Sequence, residues 1–248
     1  MEEKLSVKIN AIDLLEKQLA NRAKKGQHGI IVLSSATEPY LQVEKDLQVT
    51  RKMLEIILHY KFPVHIITKS DLVLRDTDLL QKINRDAILA IDLQAHLSQK
   101  AFITFSFSAL ADSITRIFDP GATPPSARLD AMKKILSSGF HSGVSLMPLI
   151  PYISDTDEQL DAMFQAFKET GAHYIFPASL TLFGSGPYDS KTLMLRAIEK
   201  SYPTLMEKYR KLFSFGFQPP PWYRNSLQKK FERLSNAYGF KTKLMDYP

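Results

Sequence analysis

The sequence predicts an α/β protein in which strands alternate with helices around a parallel sheet. Five short runs rich in β-branched and aromatic residues recur along the 248-residue chain at intervals of roughly 30 to 40 residues. Amphipathic segments with helical spacing lie between these runs. No apolar stretch approaches the roughly 20 residues needed to cross a bilayer, so we expect no membrane-spanning segment and no membrane partner.

The predicted strands are, in order, residues 29–35, 63–70, 101–108, 142–150 and 173–182. Two of the intervening segments place their apolar residues on one helical face: Leu47, Met53, Leu54, Ile57 and Leu58 in one, and Leu160, Met163, Phe164 and Phe167 in the other. The acidic stretch 155–158 predicts the start of the second helix, because carboxylates there complement the helix dipole. Regular βα units of this kind form either a (β/α) barrel or a doubly wound sheet.

Polar residues follow several of the predicted strands. Glu38 comes after the first strand, Lys69 ends the second, and Ser106 lies near the end of the third. The carboxyl ends of parallel strands form the active edge of both architectures, and this regular placement favours the barrel. A lysine that ends an apolar strand needs an anionic partner or solvent, so Lys69 is the strongest of these candidates.

Several kinds of site are excluded by composition and motif. The chain has no cysteine, which excludes disulfides, thiolate nucleophiles and cysteine-ligated metal centres within it. Dinucleotide, P-loop, zinc-protease and nucleophile-elbow motifs are also missing. His65 alternates with apolar residues inside a strand and is predicted to be buried and hydrogen-bonded. The polar amino terminus is unlike a secretory signal, so we expect a cytoplasmic protein.

The basic charge is concentrated at the carboxyl terminus. Residues 201–248 hold nine Lys and Arg against three Asp and Glu, so they carry the whole formal excess of +6. We therefore divide the chain into a barrel core, residues 1–200, and a helical tail, residues 201–248, with helices predicted at 202–213 and 226–238. Stacking and basic groups in the tail make it a candidate nucleic-acid surface: Trp222, Tyr223, Arg224, Lys229, Lys230 and Arg233. The alternative is a tail that closes one mouth of the barrel and buries Trp222 and Phe231.

Five stretches, 34–58, 62–80, 103–140, 146–164 and 180–193, together resemble the radical S-adenosylmethionine (SAM) superfamily, in its spore photoproduct lyase-like, DNA repair photolyase-like branch. They occur in family order and include T-K-S at 68–70, F-S-F-S at 105–108 and P-L-I-P-Y-I-S-D at 148–155. The resemblance implies a partial, TIM-like (β/α) barrel that binds SAM and cleaves it to a 5′-deoxyadenosyl radical. It further implies that the first βα unit of the family is missing here.

The resemblance also implies a set of SAM-binding residues: Ser35, Glu38, Lys69, Ser106, Met147 and Pro148. Lys69 and Ser106 would contact the SAM carboxylate or ribose, and Ser35 and Glu38 would lie near its amino group. This agrees with the chemistry of a zwitterion, which needs a cation and oxygen acceptors. Met147 and Pro148 would wall the adenine or substrate pocket. Arg128 is a weaker candidate, because its neighbours predict a helix surface.

The family holds a [4Fe–4S] cluster by three cysteines in the loop after the first strand, and this chain has none. Two explanations are open: an enzyme whose cysteines lie in an upstream segment, or a natural cluster-less barrel that binds SAM or nucleic acid without turnover. The retained motifs favour the first. An unrelated barrel enzyme with Lys69 as a Schiff-base lysine is a distant third. A barrel without its first unit exposes a strand edge, so self-association is also expected.

Overall fold

The computed structural model describes residue 8 and residues 10–34 and 37–244. The strands are β1 (Ile31–Leu33), β2 (Val64–Thr68), β3 (Ala101–Ser106), β4 (His141–Leu149) and β5 (Ile175–Ser179). The helices are α1 (Ala11–Lys24), α2 (Glu44–Leu47), α3 (Val49–His59), α4 (Thr77–Asp86), α5 (Ile91–Gln94), α6 (Asp112–Phe118), α7 (Pro125–Ser137), α8 (Asp157–Thr170), α9 (Ser190–Ser201), α10 (Met206–Leu212) and α11 (Pro221–Tyr238). Two 3₁₀ helices, Asp71–Asp76 and Pro203–Leu205, precede α4 and α10.

The five strands form one parallel sheet in the order β1-β2-β3-β4-β5. Ile31 pairs with Val64, and Val64 pairs in turn with Ala101. A doubly wound sheet reverses its strand order at a switch point, whereas a barrel adds each strand beside the previous one. The consecutive order is therefore that of a partial (β/α) barrel, and all five predicted strands are confirmed with slightly different ends.

The chain divides into two compact units. Unit 1 comprises residues 1–105, 130–143 and 244–248, and unit 2 comprises residues 106–129 and 144–243. Both units are discontinuous in sequence, because the chain passes from one to the other within β3, within α7, within β4 and after residue 243. The division at residue 200 that we expect from charge remains a prediction.

Unit 1 contains β1, β2 and all of β3 except Ser106, together with α1 and the helices that follow β1 and β2. α3 packs on α1 and α4, with Leu54 and Ile57 fully buried. His65 is buried, as predicted, and its Nε2 lies 2.7 Å from Thr104 Oγ1. Burial lowers the pKa of His65 to about 4, so the imidazole is neutral at physiological pH.

Unit 2 is built around α8 and the tail helices. α8 begins after its N-cap Thr156, whose hydroxyl accepts a hydrogen bond from the amide of Gln159, and it ends at Gly171 with φ of 89°. The predicted start of this helix is thus confirmed, and a glycine in the left-handed conformation ends it. Phe164 of α8 packs against Phe231 of α11 and against Phe240.

The tail differs from our prediction where α11 begins. The helix starts at Pro221, five residues before the predicted position, because proline fits the first turn, where its missing N–H costs nothing. Pro220, the residue before the helix, is in the extended conformation, with φ of −62° and ψ of 159°. As a result, Trp222, Tyr223 and Arg224 belong to the first turn of a helix and not to a linker.

Candidate functional site

The carboxyl end of β2 in unit 1 is fixed by a carboxylate. Glu38 Oε1 accepts hydrogen bonds from Thr68 Oγ1 at 2.5 Å and from the amide of Tyr40 at 3.0 Å, and its Oε2 accepts from the amide of Lys69 at 2.7 Å. The segment after β1 is thereby tied to the end of β2. The structure brings together Glu38 and Lys69, two of the residues that the resemblance implies in SAM binding. Ser35 lies outside the described residues.

A buried ionic cluster in unit 1 supports the same segment, and sequence reasoning missed it. Asp76 is fully buried and is bound by two guanidinium groups, Arg51 Nη1 at 2.9 Å and Arg75 Nη2 at 2.8 Å. Arg75 also donates to the carbonyl of Glu44 at 2.6 Å. The hydrogen bond to Asp76 raises the pKa of Arg75, and burial raises that of Tyr40, whose ring lies 5.9 Å from the guanidinium of Arg75. Residues 40, 51 and 76 follow no regular spacing in the sequence, so the cluster can be identified only from the folded structure.

The end of β3 in unit 2 is tied to β4. Ser106 Oγ donates a hydrogen bond to the carbonyl of Met147 at 2.9 Å. The side chain of Met147 is 51% exposed, and it precedes Pro148 through a cis peptide bond. The structure therefore places Ser106, Met147 and Pro148 together in unit 2. In this arrangement the hydroxyl of Ser106 donates its hydrogen to a backbone carbonyl.

Our prediction that Arg128 lies on a helix surface is wrong. This residue is fully buried, and its Nη1 donates to the carbonyl of Ser106 at 2.6 Å, while its Nε donates to the carbonyl of Thr123 at 2.5 Å. The guanidinium carbon lies 5.5 Å from the ring centroid of Phe107. Its apolar sequence neighbours misled us because one face of α7 is buried and carries this arginine. Arg128 fixes the position of the last residue of β3.

A second carboxylate, Asp155, lies in the loop between β4 and α8 of unit 2. Its Oδ1 accepts from the amide of Tyr152 at 2.6 Å, and its Oδ2 accepts from the hydroxyl of Tyr223. Burial raises the pKa of Asp155 to about 6. It lines an open cleft of about 340 Å³ together with Tyr152, Thr156, Asp157, Glu158, Trp222, Tyr223, Ser226, Leu227 and Lys230.

The tail residues proposed for nucleic-acid contact separate into two groups. Trp222 is 64% exposed, and Arg224 and Lys229 are also exposed. Tyr223 is buried against Asp155, so its ring is not presented to solvent.

Lys230 and Arg233, the other two basic residues of the set, both pair with Asp157 of α8, at 3.3 Å and 3.0 Å. Phe231 is buried as the lid alternative expects, but Trp222 is not. Half of the candidate set thus contributes to packing α11 on α8.

The described residues contain neither a metal-ligand cluster nor a membrane-spanning helix. No group of three or more His, Asp or Glu side chains is arranged to hold a metal ion in the part of the chain that the structure describes. Within those same residues, no helix is both long enough and apolar enough to cross a membrane.

The curated sequences that resemble this chain are themselves uncharacterized proteins. No family model matches it. An uncharacterized protein of Mycobacterium tuberculosis is 25% identical over 94% of this chain and 63% of its own length. An uncharacterized protein of Methanocaldococcus jannaschii is 29% identical over 61% of this chain and 49% of its own length. The chain thus spans less than two thirds of the curated relatives that it matches.

Solved structures agree on the fold. A variant of spore photoproduct lyase matches with a TM-score of 0.62 and 16% identity, covering 92% of this chain and 64% of that one. A second variant, solved with bound AdoMet and dinucleoside spore photoproduct, gives a TM-score of 0.61 and 18% identity over the same fractions. SuiB of Streptococcus suis, bound to S-adenosylmethionine, matches with a TM-score of 0.50 and 11% identity. The match covers 83% of this chain and 43% of the SuiB chain. The fold is therefore a partial radical SAM-type (β/α) barrel.

Proposed function

We propose that this chain is a radical SAM-type protein that binds S-adenosylmethionine at the carboxyl ends of its barrel strands. The observation that carries the proposal is the match, over 92% of the chain, to a spore photoproduct lyase variant solved with bound AdoMet. The sequence motifs at 68–70 and 105–108 support it, because they lie at the ends of β2 and β3. The more specific activity that we propose is a DNA-repair lyase reaction of the spore photoproduct lyase type.

Glu38 and Lys69 are the residues that we propose for the amino-acid end of SAM. A carboxylate has about four acceptor positions, and Glu38 accepts three hydrogen bonds in the structure. It therefore keeps acceptor capacity for an ammonium group. The half-buried Lys69 would supply the cation for the SAM carboxylate. Ser106, Met147 and Pro148 remain predictions from the resemblance.

The residues of this chain do not fit a [4Fe–4S] cluster, because the sequence has no cysteine thiolate to hold its irons. In radical SAM enzymes such a cluster supplies the electron that cleaves SAM. We therefore propose SAM binding for this chain and radical chemistry only with a cluster contributed by another segment or polypeptide. The alternative is a cluster-less barrel that binds without turnover.

Isothermal calorimetry with SAM tests the binding proposal. We expect Lys69→Ala to weaken binding by about tenfold or more, because a charge-assisted hydrogen bond contributes about 1.5–3 kcal/mol. Lys82→Ala, which removes an exposed lysine of α4, is the matched control and should leave the affinity unchanged. Equal affinity of wild type and Lys69→Ala would remove Lys69 from the site, and the same test applies to Glu38→Gln.

Reconstitution with iron and sulfide separates the two alternatives for turnover. The chain alone should form no 5′-deoxyadenosine from SAM under reducing conditions, since it lacks thiolate ligands. Formation of 5′-deoxyadenosine when the polypeptide encoded upstream is added would support the enzyme. SAM binding without product in that mixture would support the non-catalytic barrel.

We propose nucleic acid as a second partner, contacted by Trp222, Arg224 and Lys229. The exposed tryptophan beside exposed basic groups favours it, because stacking and positive charge are the two elements of single-strand binding. An oligonucleotide should quench Trp222 fluorescence, with an affinity that falls as salt rises. Arg224→Ala should weaken binding, whereas Arg233→Ala should not, since Arg233 pairs with Asp157. The reverse order would contradict this surface.

A further inference from the structure

Asp155 is a buried carboxylate to which, among the described residues, no cationic side chain donates a hydrogen bond. Both of its oxygens accept from neutral donors, the amide of Tyr152 and the hydroxyl of Tyr223. Lys230 donates instead to the backbone carbonyl of Asp155, at 3.3 Å, and forms its ion pair with Asp157. Removing a carboxylate from water without a cation disfavours its ionised form. The site therefore favours a neutral carboxylic acid.

The same residue fastens the tail to the barrel. Tyr223 lies in the first turn of α11, and its hydroxyl reaches back 68 residues along the chain to Asp155. Its ring packs edge-on against Tyr152, with 5.7 Å between centroids. The contact closes one side of the cleft that Trp222 borders. Opening it would release the first turn of α11 and admit water to the carboxylate.

The charged and titratable groups around Asp155 come from each element packed there. They are Tyr152 of its own loop, Asp157 and Glu158 of α8, Lys208 and Tyr209 of α10, and Tyr223, Lys230 and Arg233 of α11. Lys208 lies over the ring of Tyr152 at 5.2 Å, and Tyr209 donates to the carbonyl of Pro151. None of these groups is a histidine, and burial raises the pKa of Asp155 to about 6.

We propose that the contact between Asp155 and Tyr223 is a proton-dependent latch, closed when Asp155 is protonated, that holds the first turn of α11 over the cleft. In the open state water reaches the carboxyl group, whose pKa returns toward its ordinary value of 3.8, whereas burial raises it to about 6 in the closed state. Protons therefore bind more tightly to the closed state. The ratio of closed to open molecules should fall by about a hundredfold between acidic pH and about pH 8.

The single tryptophan reports on this latch. Trp222 is the neighbour of Tyr223, with ring centroids 5.6 Å apart, and it is the only tryptophan in the chain. Fluorescence followed from about pH 3.5 to about pH 8 should show one transition, with a midpoint between the open-state pKa of 3.8 and the closed-state pKa of about 6. Hydrogen exchange of the Tyr223 and Arg224 amides, which donate to the carbonyl of Pro220, should accelerate through the same range beyond the intrinsic pH effect.

Variants separate the latch from other causes. Asp155→Asn, a neutral isostere, should hold the latch closed and abolish both transitions. Tyr223→Phe removes the hydroxyl that forms the contact, so the first turn of α11 should exchange fast at every pH and neither transition should remain. His173→Gln removes the histidine of unit 2, and Asp161→Asn removes the acceptor of Tyr238; neither should shift the midpoint. A transition that survives Asp155→Asn, or a fluorescence change without faster exchange, would overturn the proposal.

Discussion

Each unit of the molecule buries an aspartate, and the two units do so in opposite ways. In unit 1, Asp76 is completely buried between the guanidinium groups of Arg51 and Arg75. In unit 2, Asp155 is almost as deeply buried, but its oxygens are bound by a peptide N–H and a phenol. The surroundings of Asp76 compensate its charge, whereas those of Asp155 do not.

The difference shows how one side-chain type serves two purposes. The charge of a carboxylate between two guanidinium groups is compensated, so Asp76 fixes α3 to the 3₁₀ helix before α4, and Arg75 ties that 3₁₀ helix to Glu44 of α2. A carboxylate held by neutral donors tolerates either charge state, so Asp155 responds to pH within a physiological range. The first arrangement gives rigidity, and the second gives a titratable contact.

Among the changes that test this difference between the two aspartates, loss of the charge at Asp76 should have the largest effect on the free energy of unfolding. Asp76→Asn leaves two guanidinium groups facing a neutral amide, and breaking a buried ion pair in this way typically costs about 3–5 kcal/mol. We expect a fall of that size in the free energy of unfolding of unit 1, measured by urea titration with hydrogen exchange of the β2 amides. Asp86→Asn, in an exposed pair with Arg85, is the control and should leave unfolding unchanged. Equal effects of the two variants would show that the cluster is not a structural anchor.

The pH dependence of unit 2 should give the next largest effect. Because the folded-state pKa of Asp155, about 6, lies above its ordinary value of 3.8, its contribution to stability is complete below about pH 4 and is lost as pH rises through 6. The loss should reach about 3 kcal/mol at most. Urea unfolding followed by Trp222 fluorescence measures it, and Asp155→Asn should remove this part of the pH dependence. A slope of the opposite sign would mean that Asp155 is stabilised as the anion.

Arg233→Ala should have the smallest effect. Its pair with Asp157 is exposed on both sides, and such pairs contribute about 0–1 kcal/mol. Urea unfolding of unit 2 should change by less than about 1 kcal/mol, and the remaining difference should shrink in high salt. A loss as large as that of Asp76→Asn would show that α11 depends on its ion pairs more than on the burial of Phe231.

The strands were predictable because local composition determined them. Val64 and Ile66 belong to a short β-branched run, and such a run can only be a strand between the helical segments that flank it. His65 was predictable for the same reason, since alternation inside a strand placed it against the core. The start of α11 was missed because Pro221 follows two other prolines, a pattern that also suits an extended linker.

The sites were less predictable because their contacts join residues far apart in sequence. Lys69 and Glu38 could be placed at a common edge from strand ends alone. Asp155 could be assigned only to a helix start, since its burial depends on Tyr223 in a helix that begins 66 residues later. Arg128 shows the same limit: nothing in its neighbours predicts that its partners are the carbonyls of Ser106 and Thr123.

The end of the tail has a consequence for biosynthesis. Tyr174 forms a parallel bridge with Lys241, and the amide of Ile175 donates to the carbonyl of Lys241 at 2.9 Å. Phe240 packs beside it against Phe164. A nascent chain therefore cannot complete unit 2 while residue 241 is still inside the ribosome, although β5 and α8 have long been translated. Until residue 241 has emerged, the edge at the start of β5 lacks this partner, and this is the interval in which the chain depends most on chaperones.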